Sequence, residues 1–450
     1  MEIKVNFGKK TGKDLKKVNG VCNGPVMEEK SIADLFAQAR FPYIRLHDTC
    51  YASYPYYVDI SHIFTNFDAD ENDPKNYQFQ HTDYLISEIR KCGAVPIYRL
   101  GESIDHSIYK RHNHPPKDFG KWVRIALNIV RHYTDGWADG FRYTDMKWWE
   151  VWNEPDLQRA DGTSPTWNGG TLLQACQLYE MTAKALKEYD PTLIVGGMAM
   201  TSVNEWLEKF VEYCGEHKLP LDFCSYHGYG DDVEEVVERA AKVRNILDKN
   251  GFSGTEILFD EWNYFGREGM GSGELWKAYK ADPKIAKDLF DSQKNEVGAS
   301  YAAALMIALN DSDIDVATYY DAQYDEEYCG LFDRYGIIQH TYNSFKYYGQ
   351  MLALAPCRTE VFCDGKGLYA IASENDEEKY VLISDYKGED GICTVTLNGL
   401  GEGLKKAEVY LTDKENIGIL YKTEFYYGHD VKQAITLKNH TVAMIRITGA

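Results

Sequence analysis

Short runs of β-branched and aromatic residues alternate with longer amphipathic stretches along the first 355 residues. Apolar positions recur at helical spacing in stretches such as "HTDYLISEIRKCG" and "DVEEVVERAAKVRNILDKNG", and Cys92-Gly93 and Asn250-Gly251 are typical helix ends. The shorter runs predict eight strands, at 18–24, 42–48, 94–102, 147–155, 192–200, 221–230, 255–263 and 315–323. Strand–helix alternation indicates parallel pairing, and eight such units predict an α/β fold, a (β/α)8 TIM barrel over residues 15–355.

A doubly wound open sheet is the alternative with the same alternation of elements. That fold binds dinucleotides with a glycine-rich turn after its first strand. The corresponding stretch here, "VCNGPVME", lacks the G-x-G-x-x-G pattern. The sequence therefore favours the barrel.

The pattern changes after residue 355. Short alternating runs such as "GLYAIASE", "KYVLISDYK" and "TVAMIRITG" are joined by polar turns, which predicts a C-terminal all-β sandwich over residues 356–450. The opening "EIKVNF" alternates in the same way. We expect residues 1–14 to form a strand that pairs into this sandwich.

Composition narrows the class of partner. A formal net charge of -20 argues against nucleic acid and anionic membranes, because phosphate would be repelled. The 34 tyrosines and 9 tryptophans fit either a tyrosine-rich core rim or rings that stack on a neutral, hydroxyl-rich ligand. The N-terminus lacks a signal-peptide pattern, and no run is long enough for a membrane helix, so we expect a cytoplasmic protein unless a signal was trimmed.

Metal and disulfide chemistry find no support in the motifs. The ten cysteines are scattered without a C-x-x-C pair, which indicates neither a zinc site nor a disulfide framework. His112 and His114 lack a third ligand partner and are typical of a solvated loop. We therefore predict no metal and no cofactor.

Polar residues gather at the ends of the predicted strands, where the active site of a (β/α)8 barrel lies. Fourteen residues share this position: Arg45, His47, Asp48, Arg99, Glu102, Asn153, Glu154, His227, Tyr229, Glu261, Trp262, Asn263, Asp321 and Gln323. Two of them, Glu154 on the fourth strand and Glu261 on the seventh, would face each other across the barrel mouth. Glycoside hydrolysis needs such a pair, one carboxyl protonated and one ionised.

"WEVWNEPDL" and "LFDEWN" resemble the two active-site segments of clan A retaining glycoside hydrolases, most closely glycoside hydrolase family 39, which includes β-xylosidases and α-L-iduronidases. The likeness extends to "YIRLHD", to "SYHGYG" and to the C-terminal sandwich, so it covers essentially the whole chain. It implies a retaining glycosidase that acts without cofactor on plant-type oligosaccharides, most like an exo-acting β-xylosidase.

The resemblance also implies roles for individual residues. Glu154 would be the general acid/base, Glu261 the nucleophile, and Asn153 the partner of the sugar 2-hydroxyl. Tyr229 would hold the nucleophile, and Arg45 would lie behind it. The remaining residues that we expect to bind substrate are His47, Asp48, His227, Glu102, Trp262, Asn263 and Asp321, with loop or ion-pair roles as the alternative for Glu102 and Asp321.

The sequence departs from the family pattern at two places. Asp260 precedes the nucleophile where a small or hydroxylated residue is more usual, and strict strand alternation predicts that Asp260 and Glu261 do not both reach the pocket. Leu46 and Asp48 replace glycines and could reshape the pocket floor. Glu150 lies four residues deeper than Glu154, and we expect it to be a buried, hydrogen-bonded interior group.

The substrate stays open at this level. The same mechanism would serve an α-L-arabinofuranosidase, a β-galactosidase or β-glucosidase, or an endo-glycanase, and a non-catalytic carbohydrate-binding barrel is the alternative class. The long segment 264–290 would either wall the site and enforce exo action or shield the barrel rim. The sandwich offers a contact surface for a homo-oligomer.

Overall fold

Strands and helices alternate as the hydrophobic pattern predicts. The computed structural model describes residues 1–28, 30–49, 57–104, 110–324 and 327–450. In chain order the strands are β1 (Glu2–Asp14), β2 (Lys17–Cys22), β3 (Val26–Met27), β4 (Lys30–Ser31), β5 (Tyr43–Leu46), β6 (Val95–Leu100), β7 (Trp148–Val151), β8 (Ile194–Met200), β9 (Phe223–Gly230), β10 (Glu256–Tyr264), β11 (Val316–Tyr319), β12 (Cys357–Asp364), β13 (Leu368–Glu374), β14 (Glu378–Asp385), β15 (Gly391–Asn398), β16 (Leu404–Asp413), β17 (Asn416–Tyr427), β18 (Val431–Leu437) and β19 (Thr441–Gly449). The α-helices are α1 (Ala33–Ala39), α2 (Ile60–Ile63), α3 (Gln80–Lys91), α4 (Phe119–Thr134), α5 (Leu172–Tyr189), α6 (Glu205–Glu216), α7 (Val233–Lys249), α8 (Ser272–Ala281), α9 (Pro283–Lys294), α10 (Glu296–Leu309) and α11 (His340–Leu354).

Eight strands form a closed parallel barrel. Its order is β2-β5-β6-β7-β8-β9-β10-β11, and β11 pairs with β2 to close the ring. Each barrel strand falls within one of the eight predicted runs or overlaps it. The predicted (β/α)8 barrel is thereby confirmed, and the open-sheet alternative is excluded.

The barrel interior is layered. The lowest layer is an apolar plug made by one side chain from each of six strands: Tyr43, Ile97, Trp148, Phe223, Leu258 and Val316. Two residues further along three of these strands, the inward positions carry Arg45, Glu150 and Asp260, each at most 1% exposed. Because side chains alternate along a strand, this charged layer lies directly above the plug and directly below the barrel mouth.

The helices begin and end at the expected local signals. Thr171 and Gln174 form a capping box at the start of α5, and Asp232 caps α7. Gly251, with φ of 87°, follows the end of α7 in the left-handed conformation that glycine adopts at little cost. Helix α10 was not predicted, because nearly every position along it is apolar and buried, so it lacks an amphipathic period.

The C-terminal region is a nine-stranded sheet with the order β17-β16-β19-β14-β13-β12-β1-β15-β18. Residues from strands near both ends of this order, such as Val409, Ile445, Val395 and Ile435, share one apolar core. The sheet therefore folds over on itself, and the two layers of the predicted sandwich are continuous. Strand β1 pairs antiparallel with β12 and parallel with β15.

Helix α10 lies between the barrel and the C-terminal sheet. The Ser384 hydroxyl donates to the Ser300 carbonyl of α10, and the Ser300 hydroxyl lies 2.9 Å from Nδ1 of His440. At a second contact the Lys387 ammonium lies 2.6 Å from Oδ2 of Asp231. Among the described helices, none combines the length and apolar character that crossing a membrane would require.

Candidate active site

The end of β7 turns sharply and brings Glu154 over the barrel mouth. Trp152 and Glu154 have φ of 67° and 50°, a conformation uncommon for residues other than glycine. The Glu154 amide donates to the carbonyl of Ala199 at 3.0 Å, and the Thr166 hydroxyl donates to the Glu154 carbonyl at 2.5 Å. The backbone of Glu154 is thus tied to two neighbouring segments, which fixes the starting point of its side chain.

Glu261 on β10 is held at both carboxylate oxygens. Nη1 of Arg45 donates to Oε1 at 2.9 Å, and the Tyr229 hydroxyl donates to Oε2 at 2.8 Å. The side chain is 6% exposed. Both contacts fix the orientation of the carboxylate, and the first is a charge-assisted hydrogen bond of the stronger kind.

Glu154 and Glu261 lie close to one another, with His227 between them. Nδ1 of His227 is 2.8 Å from Oε1 of Glu154 and 3.3 Å from Oε2 of Glu261. One oxygen of each carboxyl group and one ring nitrogen all lie within 4.8 Å of one another. Two carboxyl groups this close can both reach one bond of a bound molecule.

The two glutamates and the histidine differ in their electrostatic surroundings. Burial, and then the charge of Asp156, raise the pKa of Glu154 to about 8, although Arg45 opposes the shift. Burial lowers the pKa of His227 to about 4. At neutral pH Glu154 is therefore protonated and His227 is a neutral imidazole.

Arg45 connects the charged layer to the site. Its Nε lies 2.7 Å from Oε2 of Glu150 and 3.0 Å from Oδ2 of Asp260, and its Nη2 donates to Oδ1 of Asn153 at 2.7 Å. Glu150 is fully buried, as the sequence predicts. One guanidinium group thus orients the carboxylate of Glu261 and the amide of Asn153 from below.

Strict alternation would turn Asp260 and Glu261 to opposite sides of β10, but a β-bulge leaves both on its inner side. Along β9 and β10, Phe259 pairs with Tyr226 and Glu261 pairs with His227, so Asp260 is an extra residue in β10. Strict alternation fails at such a point. Asp260 and Glu261 therefore both contact Arg45.

His47 and Asp48 lie beside Glu261, and Arg99 and Tyr320 hold them in place. Nε of Arg99 donates to Nδ1 of His47 at 3.2 Å, so the ring proton of His47 is on Nε2, which is 3.1 Å from Oδ1 of Asp48. The Tyr320 hydroxyl donates to Oδ2 of Asp48 at 3.1 Å. Burial, and then the Glu261 charge, raise the pKa of Asp48 to about 7.

Trp262 and Asn263 on β10, which we expected to bind substrate, lie outside the cluster around Glu154 and Glu261. Trp262 is fully buried on the helix side of the strand, where its ring packs against Tyr319 and Phe345. The Asn263 amide donates to the carbonyls of Tyr320 and Tyr328 and ties the segment after β11 to the barrel. Their positions indicate packing and loop anchoring.

Glu102 and Asp321 have local partners as well. The Glu102 carboxylate accepts hydrogen bonds from the amide and the hydroxyl of Ser61 at the start of α2. Oδ2 of Asp321 accepts a hydrogen bond from the Asn23 amide at 3.2 Å. The contacts of both carboxylates fit the structural alternative that the sequence left open.

The segment after β10 packs against the site. Helices α8 and α9 surround an apolar cluster built on Phe265, Leu275 and Leu289. Within it, the Trp276 ring stacks on Phe265 and meets the Tyr229 ring edge-to-face, with centroids 5.8 Å apart. Since Tyr229 donates to Glu261, this segment packs against a side chain that contacts the Glu261 carboxylate.

Three residues around the site, Asp260, Arg99 and Tyr320, had no role assigned from the sequence. Arg99 occupies a strand end, so its position was visible, but its partner Asp59 lies 40 residues away in a loop. No local pattern links the two. Among the described residues, the group with donor spacing suited to a metal is Glu154, His227 and Glu261, the same side chains that form the carboxyl pair.

Comparisons with known proteins agree with this architecture. The model of the family described as glycosyl hydrolases family 39 matches residues 10–353. A β-xylosidase of Geobacillus stearothermophilus is 29% identical over 216 residues, which cover 42% of this chain and 41% of that protein. A β-xylosidase of Caldicellulosiruptor saccharolyticus is 27% identical over 296 residues, which cover 58% of this chain and 56% of that protein.

The matches thus span about half the length of these two relatives. A solved structure of a glucosidase from Croceicoccus marinus superposes with a TM-score of 0.82 at 24% identity, over 100% of this chain and 99% of that one. At this identity the likeness supports the barrel and its C-terminal sheet. The family resemblance inferred from "WNEP" and "DEWN" is confirmed.

Proposed function

Because the chain belongs to glycosyl hydrolases family 39, we propose that it is a glycoside hydrolase that cleaves glycosidic bonds with retention of anomeric configuration, as an exo-acting β-xylosidase-like enzyme. The observation that carries this proposal is the pair of carboxyl groups, Glu154 and Glu261, with oxygens within 4.8 Å of one another. That gap leaves no room for a water molecule and a sugar carbon in line between them. It fits direct attack by one carboxylate.

In the first step Glu154 is the acid and Glu261 the nucleophile. Oε of Glu261 forms a bond to the anomeric carbon while the bond from that carbon to the leaving oxygen breaks. The proton of Glu154 moves to the leaving oxygen, which departs as an alcohol. The raised pKa of Glu154, about 8, keeps that proton in place at neutral pH.

In the second step the glycosyl-enzyme is hydrolysed. Glu261 is now an ester and has lost its charge, so the Glu154 carboxylate that remains accepts a proton from water. The water oxygen bonds to the anomeric carbon, and the Glu261 carboxylate leaves. Asn153, held by Arg45 at 2.7 Å, would contact the 2-hydroxyl of the sugar as positive charge develops on the ring.

Substrate choice rests on the relatives and on the mouth of the barrel. Two of the relatives are β-xylosidases, which makes an aryl β-xyloside the first compound to test. Asp48, placed beside Glu261 where the family often has glycine, adds a hydrogen-bond acceptor to the pocket floor. A glycone with an additional hydroxyl, as in a β-glucoside or β-galactoside, is therefore the second candidate.

The test is a panel of aryl glycosides with carboxylate variants. Glu261→Ala and Glu154→Ala should each lower turnover by several orders of magnitude, whereas Glu205→Gln, a change at an exposed carboxylate of α6, should not. Azide should restore Glu154→Ala activity and yield a glycosyl azide of retained configuration, read by proton NMR. An inverted product would overturn the double-displacement proposal.

The same experiment addresses the alternative class. A non-catalytic carbohydrate-binding barrel would bind xylo-oligosaccharides but hydrolyse none of the panel. The paired carboxyl groups argue against it, since burial of two acids beside one another costs free energy that binding alone does not require. Binding without turnover across the whole panel would favour this alternative.

A further inference from the structure

The protonation state of His227 follows from its neighbours. Its Nδ1 faces two carboxyl oxygens, from Glu154 at 2.8 Å and Glu261 at 3.3 Å. A nitrogen between two acceptors is stabilised when it carries hydrogen. If Glu154 instead donated its proton to a bare Nδ1, the nitrogen lone pair would face Glu261 and the proton would point away from the sugar. Nδ1–H is therefore the favoured tautomer, and Nε2 is a bare acceptor.

Nε2 of His227 faces Asp260. Oδ1 of Asp260 lies 3.7 Å from it, and both atoms are buried without a hydrogen-bond partner among the described residues. An ionised Asp260 would set two acceptors against one another. A protonated carboxyl would supply the donor that Nε2 lacks, and leaving a buried acceptor without a donor is costly. Burial also raises the pKa of Asp260 well above its usual range, although Arg45 opposes the shift.

We propose that Asp260 is a positioning residue, a neutral carboxyl group that donates its proton to Nε2 of His227 and so keeps Nδ1–H directed at Glu154. The inference rests on the proposed role of Glu154 as acid/base. The distance of 3.7 Å is long for a hydrogen bond, and we expect it to shorten when a sugar fills the mouth, since catalytic hydrogen bonds are often loose in the free enzyme.

The arrangement serves both half-reactions without a net proton transfer through His227. After Glu154 has protonated the leaving oxygen, Nδ1–H of His227 stabilises the carboxylate that remains, and the same carboxylate then accepts a proton from water. The imidazole keeps its tautomer throughout. The titratable and charged groups that act on His227 are Glu154, Asp260, Glu261, Arg45, Glu150 and Asp156.

Glu150 is a competing acceptor for the Asp260 proton. Both carboxyl groups lie against Nε of Arg45, with Oε2 of Glu150 at 2.7 Å and Oδ2 of Asp260 at 3.0 Å. Burial alone would raise the pKa of Glu150, but Arg45 lowers it below its usual value, so Glu150 is the ionised member of this pair. If the Asp260 proton pointed only to Glu150, the tautomer of His227 would not depend on Asp260. This difference makes the proposal testable.

The direct test is nitrogen-15 NMR of the imidazole rings, with the His227 signals assigned by their loss in His227→Asn. We expect the Nδ1–H tautomer in the wild-type protein and in Asp260→Asn, because the amide is also a neutral donor, and a loss of that preference in Asp260→Ala. An Nε2–H tautomer in the wild type, or an unchanged tautomer in Asp260→Ala, would overturn the proposal. An Nε2–H tautomer in the wild type overturns the proposal by itself. If Asp260→Ala does not fold, Asp260→Leu, which also lacks a donor but is closer in volume, takes its place in the comparison with Asp260→Asn.

Kinetics give the second readout. Loss of the donor in Asp260→Ala should lower kcat on substrates with poor leaving groups roughly ten- to hundredfold and move the alkaline limb of the pH profile upward, since the Glu154 carboxylate loses a donor. Asp260→Asn should restore most of kcat and the original limb; an Asn variant as impaired as the Ala variant would contradict the proposal.

The matched control is Asp385→Ala, at a buried aspartate of the C-terminal sheet. It should leave the midpoint of the alkaline limb of the pH profile unchanged. The tautomer measurement needs no turnover, so a failure of the proposed function, seen as full activity in Glu154→Ala, is distinguishable from a failure of this inference.

Discussion

The pH dependence of kcat/KM is the sharpest consequence of the position of Glu154. The carboxyl group must be protonated to act as an acid, and burial together with the Asp156 charge places its pKa at about 8 instead of the usual 4.5. The protonated fraction is then roughly nine-tenths at pH 7 and one-tenth at pH 9. For a substrate that needs acid assistance, kcat/KM should therefore fall about tenfold between these two pH values.

The assay compares two aryl xylosides over pH 5–10. With a poorly activated leaving group, such as phenol, the alkaline limb should have its midpoint near pH 8. With 2,4-dinitrophenol, which leaves without a proton, the limb should weaken or disappear, because Glu154 is no longer needed in the first step. The limb should also vanish in Glu154→Gln, whose side chain does not titrate.

Two results would refute this reasoning. A midpoint near the ordinary pKa of a glutamate would show that Glu154 is solvated in the free enzyme. A limb of equal strength with both leaving groups would show that another group, such as Asp48 with its pKa raised to about 7, controls the profile. The variant Asp48→Asn would then identify that group.

Three further predictions test the contacts around the site. Tyr229→Phe should lower kcat roughly tenfold or more by removing the hydrogen bond to Glu261. The control Tyr226→Phe should leave kcat unchanged, because that buried hydroxyl on the same strand has no partner among the described residues. Equal losses of kcat in the two variants would contradict a specific role of Tyr229. Arg45→Met should lower the free energy of unfolding by about 3–5 kcal/mol, because it leaves buried carboxylates unpaired. An unchanged unfolding midpoint in urea would show that these carboxylates are neutral. The control Arg131→Met, at a partly exposed ion pair, should lower the free energy of unfolding by under about 1 kcal/mol. Treatment with EDTA should leave turnover unchanged, since the proposed steps use no metal, and a loss restored by zinc would assign a cation to Glu154, His227 and Glu261.

The site was predictable where it depends on topology. In a parallel barrel the carboxyl ends of all strands meet at one mouth, so Glu154 and Glu261 could be brought together from their places on the fourth and seventh strands. Arg45, His227 and Tyr229 followed in the same way. Glu150 could be placed below them because it lies at an inward position, deeper along the same strand.

The sequence could not reveal features that depend on local irregularity. The bulge in β10 lets Asp260 and Glu261 both face the interior, and no pattern in "LFDEWN" marks it. A strand-end position also does not tell which way a side chain points, so Trp262, which packs toward the helices, was grouped with residues of the mouth. Helix α10 was not predicted, because a helix that is buried on all sides has no amphipathic period in its sequence.

The position of β1 has a consequence for how the chain folds during synthesis. Glu2 pairs with Thr394 and Asn6 with Asn398, so β1, once it has left the ribosome, must wait for partners nearly 400 residues later. At 5–20 residues per second this delay is roughly 20–80 s. Until then β1, an alternating apolar strand, has no sheet to join and stays unpaired next to the barrel. A short, polar N-terminal extension should be tolerated better than an apolar one, which could engage β1 before its partners β12 and β15 exist.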